Sequence, residues 1–387
     1  MTASQDSTRI LELDGLRGVA IGTVLIFHYF VLTTSSTPRT LLAYVLAASR
    51  LTWSGVDLFF VLSGFLIGGV LLDAREASNY FAVFYKRRFF RIVPVYLLLL
   101  IAHLGLVVLV TFGFSANLQF LIRDRLPSMA HLVFLQNFWM AAHNTLGSPT
   151  LAVTWSLAVE EQFYLTLPLL IRYLPPRYLT SVLISAIFGA LLLRIVLCQF
   201  WPSNQMVRFV LMPCRADALL LGVLGAFAMR QLAWRSWLQR NRRLLWLLLA
   251  ILAIGFVLLT KFSFDIRGVA MAAGGYTFLA AFYLCVILCA LLSPESFLSR
   301  TLRWSWLRFL GEIAYGTYLF HFVILDLLFA VIRSHPPRID SGGDLTLALS
   351  ALTVSLILCR ISWSYFETPL IRIGHRKAYN LDRSLPI

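Results

Sequence analysis

Charge is scarce in this chain, and acidic charge scarcest. Asp and Glu number 18 in 387 residues against 33 Lys and Arg, and all charged residues together make up 13%. Soluble domains carry about a quarter of their residues charged, so an ordinary water-soluble globular protein is excluded. Cysteine is sparse as well. Cys198, Cys214, Cys285, Cys289 and Cys359 form no CxxC pair, which leaves a zinc ribbon or dithiol redox centre without a framework. Internal repeats and low-complexity tracts are missing. A small-residue cleavage site after the first apolar run is missing too, so a removable signal peptide is not expected.

What the chain has is apolar length. Hydrophobic residues make up 59% of it, and runs near the roughly 20 residues needed to cross a bilayer recur along it. The fold expected is all-α, a polytopic transmembrane bundle of ten helices near 16–34, 54–73, 92–114, 151–172, 179–200, 214–230, 244–261, 268–292, 309–332 and 344–366. One membrane domain spans 1–387, with a core of about 10–372 and short tails. The net charge of +15 sits in short connections rather than along one face, which argues for topology and against nucleic acid. Even connections hold Lys86, Arg87, Arg88 and Arg91, then Arg172 and Arg177, Arg230 to Arg243, and Arg300 to Arg308, and the tail adds Arg372, Arg376, Lys377 and Arg383. Opposite connections hold fewer, among them Arg39, Arg50, Arg123, Arg125, Lys261 and Arg338. Both termini are therefore expected in the cytoplasm. PSMAHLVFLQNFWM, in the connection 115–150, has the spacing of a short interfacial helix acting as a cap.

Ionisable residues inside such spans point to function, because burying them is costly. Arg17 and His28 lie eleven residues apart on the first span, about three turns, and so share one face. His28 is expected at a depth similar to Glu160 and Glu161 on the fourth span. Asp57, Arg215 and Asp217 fall in the same half of the bundle, so one polar chamber is expected to gather them. An imidazole there is suited to taking a proton from a sugar or alcohol hydroxyl, and a nearby carboxylate to orienting it. Arg88 and Arg91, three apart in KRRFFRIVP, present two guanidinium groups on one helix face, a grip for phosphate oxygens. His321 is placed near mid-membrane, either in the site or as an interhelical hydrogen bond. Glu367, at a helix end before Thr368 and Pro369, is expected to pair with an arginine.

LDGLRGVAI with Arg17 and the following His28, GVDLFFVLSGFLI from Gly55, the Arg88 and Arg91 pair, WSLAVEEQFY from Trp155, RADALLLG from Arg215, YGTYLFH ending at His321 and the closing FETP resemble, in order, the motifs of the membrane acyltransferase 3 family. The resemblance runs from about 10 to 372. It implies transfer of an acyl group, commonly acetyl, from cytoplasmic acyl-CoA to a hydroxyl of a carbohydrate or related acceptor, without a metal, in the bacterial cytoplasmic (inner) membrane. It implies that His28 and Arg17 are catalytic with Glu160 in support, and that Arg88, Arg91 and Arg17 bind the donor. Asp57, Glu161, Arg215 and His321 are candidate acceptor contacts, and the chain looks like a stand-alone form working directly or through a separate extracytoplasmic acyltransferase. A macrolide-type natural product is the alternative acceptor. Outside the family reading, buried charge on ten helices also suits a transporter or a flippase of lipid-linked glycans, against which the lack of an inverted repeat counts.

Overall fold

A computed structural model describes residues 10–35, 40–113, 116–124, 126–262 and 265–381. Arg39, Arg125 and Arg383 lie outside the described residues, as do residues 1–9 and 382–387 of the expected tails and the side chain of Lys261. The described residues contain no strand, only an isolated bridge between Thr34 and Ile339. Ten long helices carry the fold: α1 (Leu11–Ile26), α2 (Gly55–Asp73), α3 (Tyr80–Thr111), α4 (Thr154–Tyr173), α5 (Pro176–Phe200), α6 (Met212–Arg230), α7 (Arg242–Phe262), α8 (Tyr276–Leu292), α9 (Ala314–Arg333) and α10 (Gly342–Ser362).

Among the described residues, nine segments are long and apolar enough to cross a membrane, and all of these helices but α4 lie in them. Glu160, Glu161, Gln162 and Arg172 make α4 too polar for that criterion. Its polar face packs instead against α2, α6 and the short helix Gln136–His143, while Leu165 and Leu169 stay exposed. A helix face that neighbouring protein shields from lipid can carry such groups.

Two helices start earlier than expected. α1 begins at Leu11, and α3 begins at Tyr80 because YFAVFYKRRFF contains no breaker before Pro94. Arg88 and Arg91 therefore lie within α3 rather than at its mouth. The helical path is interrupted at three π-turns, Phe27–Val31 after α1, Met271–Gly275 before α8 and Trp363–Glu367 after α10. Such turns concentrate at functional positions. Here two of them carry His28 and Glu367.

One end of the bundle is tied together by polar contacts. Arg230 holds Asp73 through two bonds of 2.6 Å, Arg303 holds Glu12 at 2.6 Å, and the Arg75 guanidinium donates to the Leu174 carbonyl at 2.7 Å. The same end carries the residues after α10, since Asn79 donates to the Ala378 carbonyl at 2.9 Å. The described chain thus starts and finishes on one side of the bundle.

The connection expected to hold a short interfacial helix is anchored inward by two buried amides. It forms Ser128–Leu132 and Gln136–His143, and Gln136 and Asn137 are buried. Gln136 donates to the Thr154 carbonyl at 2.9 Å, and Asn137 donates to the Val210 carbonyl at 3.1 Å and to Gln162 Oε1 at 3.2 Å. Amides with partners inside the bundle pull the segment inward, leaving Leu132, Val133 and Phe138 exposed.

Helices α2 and α6 approach each other closely. A Cβ on Gly64 would overlap the Leu219 carbonyl oxygen, and one on Gly222 would overlap the Val61 carbonyl oxygen. Small residues permit such contact between membrane helices. Gly64→Val should lower the thermal midpoint in detergent, at a cost of at least about 1–3 kcal/mol. Gly105→Ala, where nothing lies within 4 Å of the new Cβ, should change little. Equal midpoints for the two variants would contradict this packing.

Candidate active site

A cavity of about 120 Å³ lies among α1, α2, α3, α4 and α9. It has room for several waters or a slender chain, and is smaller than the roughly 300–1,000 Å³ pockets that enclose drug-sized ligands. Its polar wall includes Arg17, Arg88, Arg91, Ser63, Ser156, Glu160, Tyr164 and Tyr318, and Phe59, Phe60 and Leu66 are among the apolar residues facing them.

The three arginines come from two helices. Arg17, in the second turn of α1, is 3.8 Å from Asp14 on the same helix. Arg88 and Arg91 are one turn apart on α3, and Arg91 lies 5.2 Å from the Trp363 ring centre. Neither Arg88 nor Arg91 makes an ion pair or hydrogen bond among the described residues. The neighbouring Arg87 is occupied elsewhere, donating to the Lys377 carbonyl at 3.0 Å and lying over Tyr379. The cavity therefore presents guanidinium donors that no protein acceptor saturates, a good match to a polyanionic ligand such as a phosphate ester. Glu367 is an electrostatic neighbour of Arg91, although no ion pair joins them within 4 Å.

The two carboxylates of α4 separate. Neighbouring residues on a helix point about 100° apart. Glu160 lines the cavity and accepts from the Tyr164 hydroxyl at 3.2 Å, and that hydroxyl is 2.5 Å from Ser63 Oγ. Glu161 is outside the cavity wall, and its Oε1 is buried without a hydrogen-bond partner. Tyr164, Ser63, Ser156 and Tyr318 escaped the sequence reading. The usable signals were spacings, since Tyr164 is four residues after Glu160 and Tyr318 three before His321.

His28 lies on the π-turn that ends α1, and its Nδ1 is 3.1 Å from the Val24 carbonyl oxygen and 3.0 Å from Nε2 of His321. The interhelical bond considered for His321 is thus present, and its partner is His28. These rings do not line the cavity that Arg17 lines. Tyr318 lines the cavity and neighbours the pair: it is hydrogen-bonded to Ser156 at 2.5 Å, with Phe59 edge-on at 6.0 Å and the His321 ring centre at 6.1 Å. The single chamber expected from the sequence does not form: the arginines and Glu160 line the cavity, and the histidine pair lies outside its wall.

Asp57 and Arg215 do not line that chamber. They pair with each other, fully buried, and the Arg215 guanidinium lies 3.9 Å from the Tyr276 ring centre. Beside them Arg194 binds Asp217 at 2.8 Å, Thr277 at 2.6 Å and the Ala272 carbonyl at 2.7 Å. Their helix faces turn away from the cavity, and each charge finds its opposite first. They act as interhelical ties.

An arginine-lined cavity beside a buried histidine pair, inside an apolar bundle, defines an integral membrane protein with an internal polar site. The model of the family described as the acyltransferase domain matches residues 10–363, and the chain belongs to that family. It is 28% identical over 382 residues to the peptidoglycan O-acetyltransferase OatA of Listeria monocytogenes, covering 94% of this chain and 56% of the relative. It is 27% identical over 378 residues to the O-acetyltransferase OatA of Staphylococcus aureus, covering 94% and 57%. With the putative peptidoglycan O-acetyltransferase YrhL of Bacillus subtilis the identity is 27% over 396 residues, covering 96% and 56%. The chain thus spans a little over half the length of these relatives. No solved structure matches it.

Breaking the buried pair on one side should be severe. Arg215→Met leaves Asp57 uncompensated and should cost about 3–5 kcal/mol, read as a lower melting temperature in detergent. Asp57→Leu combined with Arg215→Met should recover most of that loss. A double variant no more stable than the single one would contradict a purely structural pair.

Proposed function

We propose that this chain is a membrane O-acetyltransferase that moves an acetyl group from cytoplasmic acetyl-CoA to a hydroxyl of a cell-wall glycan of the peptidoglycan type. The observation that carries this reading is the set of Arg88 and Arg91 donors, without a protein acceptor among the described residues, beside Arg17 in a cavity one of whose wall residues, Tyr318, neighbours the His321 ring. The curated relatives, all described as O-acetyltransferases and two of them as acting on peptidoglycan, support the choice of acetyl group and acceptor.

In this mechanism Arg88 and Arg91 grip the phosphates of the donor, and Arg17 orients its arm toward the interior. The narrow cavity suits a pantetheine arm better than a sugar, so the acceptor approaches from the opposite side of Tyr318. His28 takes the proton from the acceptor hydroxyl, whose oxygen attacks the thioester carbonyl carbon. The carbon–sulfur bond breaks, and the coenzyme A thiolate leaves with the proton from His28. Positioning the two reactants supplies much of the acceleration, and the base contributes about 10²–10⁴. The positive-inside pattern supports a cytoplasmic mouth, since Arg17, Arg88 and Arg91 lie toward the basic end of the bundle.

Purified protein supplied with radiolabelled acetyl-CoA and glycan acceptors should transfer label, and His28→Ala should reduce kcat by about 10²-fold or more. Arg88→Ala and Arg91→Ala should each raise KM for acetyl-CoA about tenfold or more, the loss of a charge-assisted hydrogen bond. Transfer unaffected by His28→Ala in a folded protein would overturn the base assignment. Absence of both coenzyme A binding and turnover would overturn the enzymatic reading in favour of transport.

A further inference from the structure

The histidine pair carries more information than its contact distance. His321 Nδ1 lies 2.9 Å from the Thr317 carbonyl oxygen and 2.8 Å from that of Tyr318. Carbonyl oxygens only accept, so this nitrogen bears the hydrogen. A neutral imidazole has one N–H, which leaves Nε2 of His321 with its lone pair. That lone pair faces Nδ1 of His28 at 3.0 Å, so Nδ1 of His28 must be the donor. The Val24 carbonyl, 3.1 Å from the same nitrogen, is a second and more distant acceptor for that one N–H. Nε2 of His28 is therefore the unprotonated nitrogen.

We propose that His321 is a positioning residue that locks His28 in the tautomer whose Nε2 is free to take a proton. The inference rests on the acetyl-transfer reading above for what that proton is. His321 is fully buried, and its own carbonyl accepts from the Tyr29 hydroxyl at 2.8 Å, which in turn meets Ser355 Oγ at 2.9 Å. These bonds join α9 to the end of α1 and to α10, so the ring of His321 is held by backbone and cannot readily invert its polarity. When Nε2 of His28 takes the acceptor's proton, the Nδ1–H bond to His321 remains and holds the imidazolium. Its role matches that of a carboxylate behind a catalytic histidine, without placing a second charge in the bundle. The proton then leaves with the thiolate, and both rings return to the starting tautomers.

The test uses full-length protein labelled with ¹⁵N-histidine in nanodiscs, with His28→Gln identifying the His28 resonances. In the wild type, Nε2 of His28 should be pyridine-like and Nδ1 pyrrole-like. His321→Phe, which keeps the ring volume but removes the acceptor, should give a mixture of both tautomers. Its kcat should fall about tenfold or more while KM for acetyl-CoA stays within about twofold. His321→Gln places Oε1 near the position of Nε2 as an acceptor, and should restore the single tautomer and most of kcat. A His28 spectrum unchanged in His321→Phe, a pyridine-like Nδ1 in the wild type, or equal losses in the Phe and Gln variants would overturn the lock. In a preparation that transfers no acetyl group the spectra still decide the lock, and the reaction assignment is what falls.

Discussion

A guanidinium group inside a bilayer needs acceptors, and this bundle meets that demand in two ways. Arg194, Arg208 and Arg215 are enclosed completely, with exposures of 0%, 1% and 1%, and their partners are protein: Asp217, the Trp201 carbonyl and Asp57. Arg88 and Arg91 are handled in the opposite manner, lining a cavity with no protein acceptor among the described residues. The first set ties helices together. The second is what a bound polyanion would complete, and the proposed donor site depends on that difference.

The same requirement shapes the helices around the site. α4 turns its polar residues inward, leaving Leu165 and Leu169 exposed, and so brings Glu160, Tyr164 and Ser156 to the cavity. The π-turn after α1 carries His28 beside α9, where His321 meets it. The π-turn Met271–Gly275 lies next to Arg194, which takes the Ala272 carbonyl as an acceptor. Close contact of α2 with α6 at Gly64 and Gly222 holds the wall bearing Ser63 and Phe59. The cavity is therefore lined from regular helices, while the π-turn after α1 supplies His28 beside it.

Much of this was legible in the sequence because hydropathy is a strong signal over 20 residues. All ten long helices fall where apolar runs predicted them, and the starts of α1 and α3 differ because helical backbone continues past the apolar stretch. Arg17, Arg88 and Arg91 could be placed together at one end of the bundle, whereas Glu160, expected at the depth of His28, lines the cavity with the arginines instead. Depth does not give rotation about the helix axis, which is why Asp57 and Arg215 were expected in the chamber and instead pair with each other. Rotation also decides that Glu160 and not Glu161 faces the cavity. The place of Tyr318 beside the pair and the direct bond between His28 and His321 depend on side-chain contacts between α1, α4 and α9, which no local pattern encodes.

The central claim is that arginine-held phosphates and the histidine pair are two ends of one donor path. Cryo-electron microscopy of the full chain with a non-hydrolysable acetyl-CoA analogue measures this directly. The account predicts phosphate density against Arg88 and Arg91 and an acyl carbonyl beside Nε2 of His28, with Tyr318 turned away from Ser156. Phosphates bound elsewhere, or an acyl end directed away from His28, would contradict it.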